Sequence, residues 1–238
     1  MRTMTDRVVL ITGATGPLGR VAAGAVAEAG ARLGLGGTDA HWLSDLAGEL
    51  GLPDDQWVAA VGDLTKAEGA AAARTAVEER FGPIDVLLHL AGGWAGGTPV
   101  VELDHEDVRG MQDQHLWSTL HMVQAVAPGM VERGWGRIVA ISSPFAVSPG
   151  PKGASYAIAK AAEEVLLRSL AREVANSGVT ANLVALRTLD AKYQREAAPS
   201  QKNAASTTPD EVTRTLLFLA SDDATSINGA VIPLDGRG

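Results

Sequence analysis

The sequence predicts an α/β protein with three layers, in which helices cover both faces of a seven-stranded parallel sheet. Two observations carry this expectation. Seven apolar runs of strand length alternate with segments of helix length, the pattern of parallel strands joined by crossover helices. The first run leads straight into a glycine-spaced turn and then into helical sequence. With 238 residues and no Pro/Ser-rich linker, repeat or low-complexity tract, the chain reads as one domain over 1–238.

The strand runs are Val8–Thr12, Arg32–Leu35, Trp57–Val61, Val86–Leu90, Arg137–Ser142, Thr180–Ala185 and Ala230–Pro233. Between them, Gly19–Gly30, His41–Leu50, Thr65–Phe81, Asp104–Arg133, Ser155–Ser177 and Pro209–Ala220 have helical length. Asp104 and Thr208 are candidate N-caps, with Pro209 in the first helical turn after Thr208. Gly30, Gly82 and Gly178 stand where helices should stop in a left-handed residue. The right-handed crossover rule then gives the strand order 3-2-1-4-5-6-7. The polar stretch Thr188–Thr207 shows no clear period and is expected to be a loop, either a mobile flap over the carboxyl edge of the sheet or a surface segment.

Composition narrows the partners. A formal net charge of −8 opposes nucleic acid and anionic membrane surfaces, since both are bound through Lys and Arg. The absence of cysteine excludes disulfides, thiolate metal sites and thiol nucleophiles, and the histidines show no metal-ligand spacing. No apolar run approaches the roughly 18–20 residues of a membrane span, and no signal-like stretch opens the chain, so a cytoplasmic location is expected.

The turn Thr12-Gly13-Ala14-Thr15-Gly16-Pro17-Leu18-Gly19 between strand and helix is a dinucleotide-binding signal. Gly13 permits the sharp turn, Gly16 the close approach of backbone to pyrophosphate, and Gly19 the packing of helix on strand. Pro17 removes one N–H but suits the first helical position, leaving those of Leu18 and Gly19. These features make the fold Rossmann-type.

Further along, Tyr156-Ala157-Ile158-Ala159-Lys160 opens a long helix, and Ser143 ends the strand before it. Residues four apart share a helical face, so Tyr156 and Lys160 can serve one site. In this order the motifs resemble the short-chain dehydrogenase/reductase family, over nearly the whole chain. The resemblance implies an NAD(P)(H)-dependent oxidoreductase that interconverts a carbonyl and a secondary alcohol. Tyr156 would be general acid/base, Ser143 would hold the substrate oxygen, and Lys160 would hold the nicotinamide ribose and favour the phenolate. It further implies cofactor contacts at Gly13, Thr15, Gly16, Leu18, Gly19, Asp63, Leu64, Ala91 and Gly92, and a homodimer or homotetramer. Asp63 also reads as an N-cap for a helix starting near Thr65. Gly37 stands where an NAD-preferring member has an acid, and Thr38 can meet a 2′-phosphate, so NADP is slightly favoured over NAD.

The chain departs from the family in four places. Pro17 stands where the middle glycine of the usual Thr-Gly-x-x-x-Gly-x-Gly is expected. Leu90-Ala91-Gly92 replaces Asn-Ala-Gly, Leu186-Arg187 replaces Pro-Gly, and His115 stands at the asparagine that carries a relay water. An imidazole there either takes over the relay, since it titrates near neutrality, or fills a core position. The departures leave a second reading open, a catalytically eroded nucleotide-binding or assembly protein. A sugar-nucleotide epimerase, suggested by the glycine spacing, lacks the usual substrate domain. Trp94, Trp117, Phe145 and Tyr193 are candidate walls for a small-molecule carbonyl or alcohol, and equally core or surface residues.

Overall fold

The structure, a computed structural model, describes residues 4–236. Its seven strands are β1 (Val8–Thr12), β2 (Arg32–Gly37), β3 (Trp57–Val61), β4 (Val86–His89), β5 (Gly136–Ser142), β6 (Val179–Leu186) and β7 (Val231–Leu234). They form one parallel sheet in the expected order, β3-β2-β1-β4-β5-β6-β7. Every residue of β1 and β6 is buried, because crossover helices cover both faces and leave neither side for water.

Side chains alternate between two cores, as the period of a strand requires. Val9, Ile11, Leu33 and Leu35 point to the face covered by α1 (Pro17–Glu28), α2 (Ala40–Glu49) and α9 (Pro209–Leu219). Val8, Leu10, Leu87 and Ile138 point to the face covered by α3 (Ala67–Phe81), α5 (Ser118–Arg133) and α6 (Ala154–Glu173). At Gly34 a Cβ would lie 2.3 Å from Val77 Cγ2, so glycine there lets α3 settle on β2. The anticipated stops at Gly30, Gly82 and Gly178 all have positive φ, and Thr208 and Glu211 form a reciprocal capping box at the start of α9.

Three expectations need correction. The single helix over Asp104–Arg133 is α4 (His105–Gln112), a π turn (Asp113–Trp117) and α5. The hydroxyls of Ser118 and Thr119 donate to the carbonyls of Gln114 and His115, four residues back, at 2.6 Å each, side-chain bonds that accompany the widened turn. The helix expected from Thr65 begins instead at Ala67, so Asp63 is not its N-cap; the Asp63 carboxylate accepts from the amide and hydroxyl of Thr65 in the turn before it.

The third correction concerns 188–207, which is built rather than loose. It contains α7 (Gln194–Ala197) and α8 (Gln201–Ala204), and Leu189 bridges to Thr207. Asp190 accepts from the amides of Gln194 and Arg195 at 2.8 Å each. Arg195 donates to the Ser206 carbonyl and to Glu211 of α9, both at 2.7 Å, and the Tyr193 hydroxyl donates to Asp210 at 2.6 Å. Among the described residues, no helix is long and apolar enough to cross a membrane.

The hydrogen bond from Arg195 holds the Glu211 carboxyl down at about 2, from an ordinary 4.5. A depressed folded value means that this stabilisation is complete above about 4.5 and is lost as pH falls toward about 2. Arg195→Met is therefore expected to flatten stability between those limits and to speed amide exchange through 190–207 while sheet amides keep their protection. Denaturant titrations at several pH values and hydrogen-exchange mass spectrometry check both.

Candidate active site

Neighbouring strands β1 and β4 continue to opposite faces of the sheet, α1 lying on one and α5 on the other. A crevice opens outside their carboxyl ends, the place where parallel α/β sheets take ligands. It holds about 750 Å³ and is lined by the Gly13–Gly19 turn, Leu90–Gly92, Trp94, Ile141–Ser143, Phe145, Tyr156 and Leu186–Leu189. Gly13, Thr15, Gly16, Leu18, Gly19, Ala91, Gly92, Ser143 and Tyr156 are thus brought to one cleft, as expected. Thr38, Asp63 and Leu64 do not line it; they follow β2 and β3 on the same edge. His115 and Lys160 are buried behind its wall.

The glycines of the turn are there for space. Gly13 has φ +66°, and a Cβ on it would lie 2.9 Å from the backbone of Ala91. A Cβ on Gly19 would lie 2.2 Å from the Gly13 carbonyl oxygen. Gly16 caps α1 with Pro17 in its first turn, and the first intrahelical bond runs from Arg20 N–H to Gly16. The N–H groups of Leu18 and Gly19 therefore face out of the helix end, where an anion is stabilised. Backbone this bare, at a helix N-terminus, fits a pyrophosphate.

On the facing wall stand Ser143 and Tyr156. Ser143 is placed by the end of β5, where its oxygen accepts from the Phe145 amide at 3.3 Å, and Tyr156 by the first turn of α6. Ser142 is directed elsewhere, donating to Glu164 at 2.7 Å. Burial pushes the Tyr156 phenol above its ordinary value, and the Ser143 hydroxyl only partly opposes it. This corrects the expected lowering by Lys160. The ammonium is engaged by the Ile141 carbonyl and by Glu163, donating to each at 2.7 Å, and the Glu163 charge pushes the phenol further up.

Of the two readings of His115, the relay and the filled core position, the placement is that of the second. Its ring packs edge-on against Tyr156 with centroids 5.4 Å apart, and Nε2–H donates to the Gly93 carbonyl at 2.8 Å. Nδ1 is then the acceptor nitrogen, buried with no hydrogen-bond partner among the described residues. Burial and the Lys160 charge push the imidazole down to about 3, so it does not titrate near neutrality. Gly92 makes room for it, since a Cβ there would lie 2.5 Å from His115 Cε1.

Sequence reasoning missed several buried polar residues. Thr12 Oγ1 accepts from the amides of Leu90 and Ala91, so its hydrogen goes to His89 Nδ1 at 2.9 Å. His89 Nε2–H then faces Ser118 Oγ at 3.3 Å, and burial holds this ring too at about 3. Glu163 and Thr119 complete the set. Polar residues at core positions of two strands and two helices were the available signal. Of the candidate walls, Trp94 and Phe145 line the cleft; Trp117 stacks on His121, and Tyr193 is bound to Asp210. Among the described residues no cluster able to hold a metal ion occurs.

Known proteins carry the same plan. The family model described as short chain dehydrogenase matches residues 7–202. The 3-oxoacyl-[acyl-carrier-protein] reductase MabA of Mycobacterium tuberculosis is 34% identical over 73% of this chain and 73% of its own. D-threitol dehydrogenase of Mycolicibacterium smegmatis is 31% identical over 98% of this chain and 93% of its own. The NADPH-bound structure of a short chain oxidoreductase from Pseudomonas aeruginosa PAO1, containing an atypical catalytic center, superposes with a TM-score of 0.89 at 25% identity, over 99% of this chain and 98% of the other. These relatives are named as oxidoreductases and give no support to an eroded assembly protein. With the family model covering most of the sequence, and the sheet order and cleft in agreement, the chain belongs to the short-chain dehydrogenase/reductase family of oxidoreductases.

Proposed function

We propose that the chain binds NAD(P)(H) along the Gly13–Gly19 wall and interconverts a small-molecule carbonyl and a secondary alcohol, with Tyr156 as general acid/base. The observation that carries this reading is that Ser143 and Tyr156 line one cleft together with the glycine turn. The nicotinamide supplies or accepts the hydride. Tyr156, a phenol that burial raises further above neutrality, gives its proton to the oxygen that gains charge during reduction and takes it back in the reverse direction. Ser143 holds that oxygen. Trp94 and Phe145 supply apolar surface that excludes water beside the reacting carbon.

His115 acts by packing. Held neutral, it fixes the Tyr156 ring without carrying a proton through the working pH range. NADPH is favoured over NADH by a small margin. Gly37 offers no carboxylate to repel a 2′-phosphate, and the nearest acid, Asp39, already caps α2 through the His41 amide. Arg187 lines the same cleft and adds a positive charge where Pro17 has removed a donor. Exposed Ile158 and Val165 on α6 favour a homodimer or homotetramer in the cytoplasm.

Calorimetric titration with NADPH and NADH is expected to show binding of both, tighter for NADPH; binding of neither sinks the proposal. With NADPH and an acetoacetyl thioester or another carbonyl the chain reduces, Tyr156→Phe should lower turnover by roughly 100-fold or more. Its NADPH affinity should not change, and parental activity in this variant rejects the acid role. His115→Leu should keep the parental pH profile while raising KM; if only His115→Asn retains activity, the histidine does carry a proton.

A further inference from the structure

Behind Tyr156 lie more oxygen acceptors than an ionised carboxylate leaves hydrogens for. Lys160 Nζ donates to the Ile141 carbonyl and to Glu163 Oε2. Thr119 Oγ1 lies 2.9 Å from Glu163 Oε1 and 2.6 Å from the His115 carbonyl. A hydroxyl carries one hydrogen. If Glu163 is ionised, that hydrogen must serve two acceptors, and one buried oxygen faces another lone pair to lone pair. If Oε1 carries a proton, every contact has its own hydrogen: Glu163 to Thr119, Thr119 to His115, Lys160 to Oε2. The side chains of Lys160 and Glu163 are 4% and 1% exposed, so water does not relieve the conflict.

We propose that Glu163 carries a dissociable proton in the folded protein and sets how much of the Lys160 charge acts on Tyr156, a positioning role that rests on the Tyr156 reading above. With the proton in place, the ammonium charge is uncancelled. On ionisation the O–H bond breaks, the electron pair stays on the carboxylate, the proton goes to solvent, and the charge beside Tyr156 is neutralised. Burial is the strongest influence on Glu163 and favours the neutral acid, against the opposing pull of Lys160; Thr119, its one hydrogen committed to the His115 carbonyl at 2.6 Å, accepts from the acid instead of donating to a carboxylate.

The other titratable and charged groups packed around Glu163 are engaged elsewhere, neutral or exposed. On its own helix, Glu164 accepts from Ser142 and pairs with Arg168 at 3.6 Å. From β4 and the π turn, His89 and His115 are both held near about 3 and stay neutral. On α5, His121 is turned to the Leu64 carbonyl, and on α4 the side chains of His105, Glu106, Asp107 and Arg109 are exposed.

The test follows the glutamate side-chain carboxyl carbons by NMR during a pH titration of the whole chain, alongside the pH profile of kcat/KM. One carboxyl is expected to titrate well above the usual range of about 4–5 and to be missing in Glu163→Gln, whose rate profile loses the matching limb. Thr119→Val removes the acceptor that the neutral acid uses, so it should move that titration to lower pH, and Thr119→Ser should restore it. The proposal is overturned if no glutamate titrates above that range, if Thr119→Val moves the titration upward, or if Glu163→Gln keeps the parental profile. Should Glu163→Gln not fold, the comparison of Thr119→Val with the parent decides alone. The carboxyl titration is also read in Tyr156→Phe: an active Tyr156→Phe removes the catalytic reading, whereas a missing titration removes this one.

Discussion

The cleft depends on how β1 and β4 end together. Thr12 closes β1 with a hydroxyl that accepts from the amides of Leu90 and Ala91 and donates to His89, so one buried side chain ties the two strand ends. Beyond it the chain turns at Gly13 with positive φ, close enough to Ala91 that no side chain would fit between them. This close approach sets the floor of the crevice. The helix N-terminus on one side and Ser143 and Tyr156 on the other then face each other because β1, β4 and β5 are adjacent in the sheet.

A second constraint is the poverty of hydrogens behind the cleft. His89, His115, Ser118, Thr119, Ser142, Lys160, Glu163 and Glu164 are buried together, and each must find a partner within the protein. Counting hydrogens fixes His89 with its proton on Nε2 and His115 likewise, each by the carbonyl or hydroxyl it faces. Burial then keeps both rings neutral, which removes the proton-carrying role that position alone suggests for His115. The same shell fixes the orientation of Tyr156 by packing rather than by charge.

The sheet was legible in the sequence because apolar runs buried on both faces have no competing explanation at that length, and the glycine turn was legible because its spacing answers a steric need. The Ser143 and Tyr156 placement followed from helical spacing together with the family resemblance. What sequence could not show is where long side chains turn. Lys160 is on the expected face of α6, yet its ammonium goes to Glu163, three residues on, which one-dimensional spacing does not rank against Tyr156. The 188–207 segment looked structureless because its order comes from Asp190, Arg195 and Glu211, residues whose partners are distant or backbone atoms. The π turn left no periodic trace either, being a local widening within a continuous helical pattern.

Stability alone gives a poor account of Glu163. A buried ion pair recovers little beyond the desolvation of its members, and well-packed apolar residues of similar volume commonly do as well or better, by about 1–4 kcal/mol. Leucine at 163, however, would leave the Lys160 ammonium buried with the Ile141 carbonyl as its remaining protein partner, a situation costing about 3–5 kcal/mol. The glutamate is thus required by the lysine, and the lysine in turn is not required by the core, where methionine or leucine would pack. The physical reason for keeping both is a positive charge next to Tyr156 that is held in a fixed place and can be offset. A carboxyl group that burial pushes toward its neutral form provides that offset, because the buried acid is charged only where the lysine beside it makes the charge tolerable.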